Sequence, residues 1–97
     1  MSGDSTGGSR DLVIIGLKPI MNYVVACMTL FNDGSSSIRV RARGRHISKA
    51  VDAVEMLRRI FLKDLVVEKI DLGTEVHKAQ SGRDTSVSTI EIHLGKP

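Results

Sequence analysis

The sequence predicts a two-layer α/β domain in the order strand, helix, strand, helix, strand, strand, and three observations carry that prediction. Apolar and polar residues alternate with period two over residues 37–43, 66–72 and 88–94, the signature of half-buried strands. Residues 20–31 and 47–61 carry apolar residues at helical spacing. Turn residues, Gly16 with Pro19, Asn32-Asp33-Gly34, Gly44 and Ser81-Gly82, punctuate these segments. At 97 residues the chain has room for one core, because a chain of this size buries roughly 60–70% of its unfolded surface.

Taken in order, residues 1–10 are mostly Ser, Gly, Thr and Asp, which cannot repay the entropy of ordering, so a flexible tail is expected before a domain spanning 11–97. Leu12-Val13-Ile14-Ile15 is a continuous apolar run and reads as a strand covered on both faces. Pro19 suits the first position of a helix over residues 20–31, and Asn32-Asp33-Gly34 is its stop signal. A strand over residues 23–30 is the competing reading from β-propensity, but the length and the flanking Pro and Gly favour helix. Apolar residues surround most of this helix, which points to burial on more than one side.

The second strand places Ile38, Val40 and Ala42 on one face and Arg39, Arg41 and Arg43 on the other. Gly44 ends it, Arg45 follows in the turn, and Ser48 is the expected N-cap of the second helix. Ile47, Ala50, Val51, Val54, Leu57 and Phe61 form its expected packed face, with Ala53, Met56 and Ile60 widening the apolar sector. Glu55 and Arg59 stand at the i, i+4 spacing of a surface pair. Then Val66, Glu68, Ile70 and Leu72 alternate against Val67, Lys69 and Asp71, and Ser88, Ile90, Ile92 and Leu94 against Thr89, Glu91 and His93. The polar stretch between them predicts one long hairpin whose tip projects about six residues, roughly 20 Å, beyond the sheet.

Charge is local. Residues 34–51 hold five Arg or Lys and no acid, whereas the whole chain carries +3, so the remainder is acidic by two. The only cysteine, Cys27, lies in an apolar run and is expected to be a buried core thiol, which argues against a disulfide-built secreted domain. No segment reaches the ~18 apolar residues of a membrane span, and the polar start lacks the pattern of a signal peptide, so a cytoplasmic protein is expected.

If the first two strands are parallel neighbours, both strand-to-helix turns open on one edge and bring Lys18, Arg43 and Arg45 together. Free backbone N–H groups and two helix N-termini would add positive potential suited to phosphate oxygens. Enzymatic readings find no support. The phosphate-binding loop and the dinucleotide glycine motif are both missing, and His46, His77 and His93 lack zinc-ligand spacing. Asp52 and Glu55 share a helix face as a surface pair. The sequence assigns no catalytic residue, no cofactor and no metal ligand.

Three motifs carry a resemblance to a known family. Gly16-Leu17-Lys18-Pro19-Ile20-Met21-Asn22-Tyr23-Val24, then Arg41-Ala42-Arg43-Gly44-Arg45-His46-Ile47-Ser48-Lys49-Ala50-Val51-Asp52, then Arg83 onward through Val87-Ser88-Thr89-Ile90-Glu91-Ile92 closely resemble the Alba family of archaeal chromatin proteins, from about Leu12 to the C-terminus. The resemblance implies a fold similar to the C-terminal domain of a bacterial translation initiation factor. It also implies a homodimer that coats double-stranded DNA with little sequence preference and binds RNA as well, and it leaves room for a heterodimer with a paralogue.

On the matching positions, the family's basic cluster falls on Lys18, Arg43 and Arg45 with Arg41 and Lys49 beside it. The groove-reaching arm falls on Lys78 to Arg83, and Phe61 matches an aromatic at contacts between neighbouring dimers. Leu17 stands where many members carry the first of two lysines, the one whose acetylation weakens DNA binding. Lys18 is therefore this turn's candidate for modification by an acetyltransferase and deacetylase.

The resulting expectation is sequence-tolerant binding of double-stranded DNA by a chromosome-associated architectural protein. Tyr23, Phe31 and Phe61 all lie in predicted helices and offer no stacking platform, which favours duplex over single strand. The alternative is an RNA-binding protein or ribonucleoprotein subunit using the same surface. Further rivals are a scaffold docking an acidic protein and a nuclease.

Overall fold

A computed structural model describes residues 11–96, so the expected tail over residues 1–10 lies outside the described residues. The elements are β1 (Leu12–Ile14), α1 (Ile20–Asn32), β2 (Ser37–Arg43), a 3₁₀ turn (Gly44–His46), α2 (Ile47–Met56) continued by a π turn (Leu57–Phe61), β3 (Val66–Lys78) and β4 (Asp84–Gly95). They form one four-stranded sheet in the order β1-β2-β4-β3. β1 runs parallel to β2 across the α1 crossover, and β4 is antiparallel to both β2 and β3.

The core lies between the helices and one sheet face. Val13, Ile38, Val40, Ala42, Ile90, Ile92 and Leu94 point into it, and Tyr23, Val24, Cys27, Phe31, Ala50, Ala53, Val54 and Leu57 meet them. Val24, Leu57 and Leu94 are fully buried, and each such side chain contributes roughly 1.5–3 kcal/mol by leaving water. The other sheet face is uncovered and carries Arg39, Arg41 and Arg43 beside His93, Glu91 and Thr89, with Lys69, Asp71 and Gly73 on the next strand.

Several local expectations are corrected. β1 is an edge strand covered on one face only, which leaves Ile14 63% exposed. Pro19 is the N-cap of α1 rather than its first helical residue. The helix ends as its stop signal predicts: Gly34 N–H donates to the Phe31 carbonyl and Ser35 N–H to the Leu30 carbonyl, the paired bonds of a Schellman cap. Ser48 does not cap α2, because the 3₁₀ turn extends the helical path backward and leaves His46 at the cap position, without a side-chain cap bond.

The C-terminal end of α2 also departs from simple periodicity. Leu62 N–H reaches the Leu57 carbonyl, an i to i+5 bond that widens the last turn. The widening rotates Phe61 off the packed face, so Phe61 and Ile60 stand exposed while Leu57 stays buried. Val51 is likewise more exposed than predicted, and Ala53 takes its place in the core. Glu55 pairs with Arg58, at 2.7 Å, rather than with Arg59.

A bulge at Glu68 resets the phase of β3. Val67 pairs with Leu94, but Lys69, not Glu68, pairs with His93. Val67, Ile70 and Leu72 therefore share the helix-side face, and the predicted grouping of Glu68 with Ile70 and Leu72 is wrong.

Beyond Thr89, the last β4 residue paired with β2, the β3–β4 ladder continues for five rungs from Thr74↔Ser88 to Lys78↔Asp84. This is the predicted arm, about 17 Å of ladder at the usual rise. It closes through a turn in which Gly82 N–H donates to the Ala79 carbonyl and Ala79 N–H to the Arg83 carbonyl. Gly82 has φ +84°, the left-handed conformation that this three-residue loop requires.

Candidate nucleic-acid interface

Parallel pairing brings the ends of β1 and β2 to one edge. Ile14 pairs with Arg41, and Ile15 N–H donates to the Arg41 carbonyl, so Gly16-Leu17-Lys18 leaves the sheet beside the Arg43-Gly44-Arg45 turn. Gly44 has φ +57°, and a Cβ there would sit 3.4 Å from Val87 Cγ1 of the arm, so the second turn is folded tightly against the arm's root. Lys18, Arg43 and Arg45 are all exposed.

The first of these turns is held by side chains from both helices. Tyr23 Oη accepts hydrogen bonds from the N–H groups of Gly16 at 2.8 Å and Lys18 at 3.1 Å. Lys49 Nζ donates to the carbonyls of Gly16 at 2.8 Å and Lys18 at 2.9 Å, and lies 5.9 Å from the centre of the Tyr23 ring. The expectation of free N–H groups in this turn is therefore wrong at both positions. What remains for an anion is the side chains and the two helix starts, neither of which has a side-chain cap bond or an acidic residue in its first turn.

The arginines of β2 meet acids that the local charge count does not reveal. Arg41 Nε and Nη2 both donate to Glu91 Oε1, and Arg39 lies 3.5 Å from Oε2 of the same carboxylate. His93 Nε2 sits 3.2 Å from Glu91 Oε2 and 3.1 Å from Asp71 Oδ2, and Lys69 lies 3.6 Å from Asp71. The hydrogen bond from Arg41 is the main cause that holds the Glu91 carboxyl below its ordinary range; burial opposes it, and the charges of Arg41, Arg39 and His93 add to it. At the arm's root, Arg43 approaches Glu75 at 3.5 Å and His77 Nε2 at 3.0 Å.

Asp71, Glu91 and His93 bring ligand atoms within 4.8 Å of one another. Arg39, Arg41 and Lys69 already set three positive side chains against its two carboxylates, so the group carries no excess negative charge.

Among the described residues, the exposed cations without an acidic partner are Lys18, Arg45, Arg59, Lys63, Lys78 and Arg83; Lys18 and Arg45 stand on the turns, Lys78 and Arg83 at the arm tip, and Arg59 and Lys63 lie away from this edge, at and after the end of the second helix. Arg41 and Arg43 lie on the same surface but engaged, and Lys49 is half-buried with two of its three donors used. Phe61 stands apart, past the far end of α2. Sequence reasoning missed Glu75 and Glu91 as partners of the cluster. The alternation in β4 placed Glu91 opposite Ile90 and Ile92, but only the strand register sets it beside Arg41. Tyr23 and Phe31 are buried, so no aromatic platform faces the cationic edge.

A two-layer α/β domain with two cationic turns meeting at one sheet edge, the first clamped by Tyr23 and Lys49, and a two-stranded arm rising beside them, presents a surface whose charge suits anions. The chain belongs to the Alba family: the family's sequence pattern, described as Alba, matches residues 12–74. A protein of Methanothrix thermoacetophila named DNA/RNA-binding protein Alba is 51% identical over 86 residues, 89% of this chain and 96% of that relative. One of the same name from Methanocella arvoryzae is 42% identical over 87 residues, 90% and 91% of the two chains. The fold is similar to that of Alba from Thermoplasma volcanium, with a TM-score of 0.81 and 44% identity over 88% of this chain and 99% of that one. ALBA1 from Trypanosoma brucei is also similar, with a TM-score of 0.74 and 30% identity over 90% of this chain and 69% of that one.

Proposed function

We propose that this protein binds double-stranded DNA with little regard to sequence, as a chromosomal architectural protein. The observation that carries the reading is the placement of Lys18 and Arg45 on adjoining turns, exposed and without acidic partners, with Lys78 and Arg83 at the end of an arm rooted at the same edge. Such cations bind phosphates, release counterions and fix a duplex without reading its bases, while a ribbon five rungs long follows a groove. Arg41 and Arg43 add positive charge on the same surface, and Lys49 adds it at the first turn. The absence of an exposed aromatic at the edge favours a duplex over a single strand. The printed names of the relatives point to DNA and RNA alike.

The working unit is a homodimer, or a heterodimer with a paralogue. The edge strand β3 supports this, since Val66, Ile70, Leu72 and Val76 on it are all at least 48% exposed. Phe61, exposed beside Ile60, serves contacts between dimers aligned on DNA. Lys18 is the modification target, because acetylation by an acetyltransferase would remove one of the free cations and a deacetylase would restore it. The protein resides in the cytoplasm on the chromosome.

Fluorescence anisotropy with a mixed-sequence DNA duplex and a matched RNA duplex, titrated at several salt concentrations, tests the reading. Affinity that falls steeply with salt and equally across DNA sequences supports it. A clear preference for RNA transfers the same surface to ribonucleoprotein work, and weak binding to both at low salt overturns nucleic-acid binding altogether.

A further inference from the structure

We propose that Lys49 and Tyr23 form a clasp that positions Lys18 for phosphate contact, with Lys49 acting as a positioning residue rather than as a phosphate ligand. The inference rests on the nucleic-acid reading above and assigns separate roles within its surface.

The geometry is reciprocal. Tyr23, projecting from α1, takes both N–H groups of the turn at Gly16 and Lys18, and Lys49, projecting from the first turn of α2, takes both carbonyls of the same two residues. Four backbone groups that would otherwise fray into water are thus satisfied by two side chains, which also face one another as cation and ring. Tyr23 is buried and is itself fixed by the core. Gly16 is the site of closest approach: a Cβ there would lie 3.4 Å from the Tyr23 hydroxyl.

Lys49 carries its donors inward, toward carbonyls, so the charge nearest the outside of this turn is Lys18. Because Lys49 follows Arg45 by four residues, the clasp also sets the separation of the two free cations on the two turns. A fixed separation means that the ordering entropy of the turn is met on folding instead of on binding.

The roles separate in the salt dependence. A phosphate ligand removed lowers the slope of log affinity against log salt by about 0.9, whereas a positioning residue removed lowers affinity and leaves the phosphate count in place. Binding of the mixed-sequence duplex is compared for the full chain and for Lys49→Met, Tyr23→Phe, Lys18→Ala and the double variant Lys18→Ala with Lys49→Met. Tyr23→Phe is the decisive single change, since it breaks half of the clasp and alters no charge.

The expected result is a loss of roughly three- to tenfold for Lys49→Met and for Tyr23→Phe with the slope retained, the scale of one newly mobile side chain and turn. Adding Lys49→Met to Lys18→Ala then changes little, because the residue it positions is gone. Amide hydrogen exchange is measured on the same samples. Exchange at Gly16 and Lys18 accelerates in both clasp variants, while the amides of Val24 and Ile92 keep their protection and show the fold intact.

A slope reduced by about 0.9 in Lys49→Met, with a loss additive to that of Lys18→Ala, makes Lys49 a phosphate ligand and overturns the inference. Unchanged exchange at Gly16 and Lys18 in Tyr23→Phe overturns it as well. If the wild-type chain itself shows no salt-dependent binding, the nucleic-acid reading falls first, a result distinct from either of these.

Discussion

Arg41 and Glu91 face each other across a rung of the β2–β4 ladder, and Arg41 donates from both Nε and Nη2 to the single oxygen Oε1 of Glu91, at 2.9 and 2.8 Å. The strand that looks most basic in the sequence is therefore partly neutralised by its neighbour. Partly exposed pairs of this kind contribute modestly to stability, but they decide which cations face a ligand.

Arg45→Ala is expected to lower the salt slope of DNA binding by about 0.9 and to weaken binding to all sequences alike. Arg41→Ala changes the slope less, because its guanidinium is already committed to Glu91. Anisotropy titrations of both variants over a salt series check the ranking, and an equal slope change for the two would contradict it.

Glu91 supplies the pH dependence. Its carboxyl titrates below the ordinary range in the folded chain, so its charged form stabilises the fold above the unfolded value, and that contribution is lost as pH falls through the folded value. Urea melts of the wild type and Glu91→Gln from neutral pH into the acid range measure it. The wild-type advantage narrows as pH drops through the carboxylate range, and a constant difference would remove the linkage.

Gly82→Ala strains the left-handed position of the arm turn by about 1–2 kcal/mol. Since the tip touches little else, the expected effect is faster amide exchange at Ala79 and Arg83 and weaker duplex binding, with the melting temperature of the core nearly unchanged. A large drop in melting temperature would show that the arm and core unfold together.

Cys27 is buried, and burial pushes its thiol up to about 12, so the native chain resists thiol reagents near neutral pH. Reaction of the unfolded chain alone with a chromogenic disulfide checks this. Cys27→Ser places a hydroxyl in the apolar core and is expected to cost about 1–3 kcal/mol in a denaturant melt.

Much of this molecule was legible in its sequence where the signal is local. The alternation in β2 assigned Ile38, Val40 and Ala42 to the core and Arg39, Arg41 and Arg43 to the other face, and the described burial agrees. The stop at Gly34, the buried Cys27 and the long hairpin with its Ser81-Gly82 turn were equally readable. The π turn at Leu57–Phe61 and the bulge at Glu68 were not. Each adds one residue to a repeat, and a periodic pattern read along the chain carries no mark of the slip.

The sequence by itself determined the order of elements, the sidedness of β2 and the presence of cations on two turns, because backbone geometry couples each of these to residues a few positions away. Only the tertiary structure decided which cations stay free. Glu91 reaches Arg41 across fifty positions, and Lys49 reaches Gly16 across thirty-three, through strand register and helix packing. Side chains that meet this way are set by the closure of the whole sheet and core, and no local period in the chain encodes their meeting.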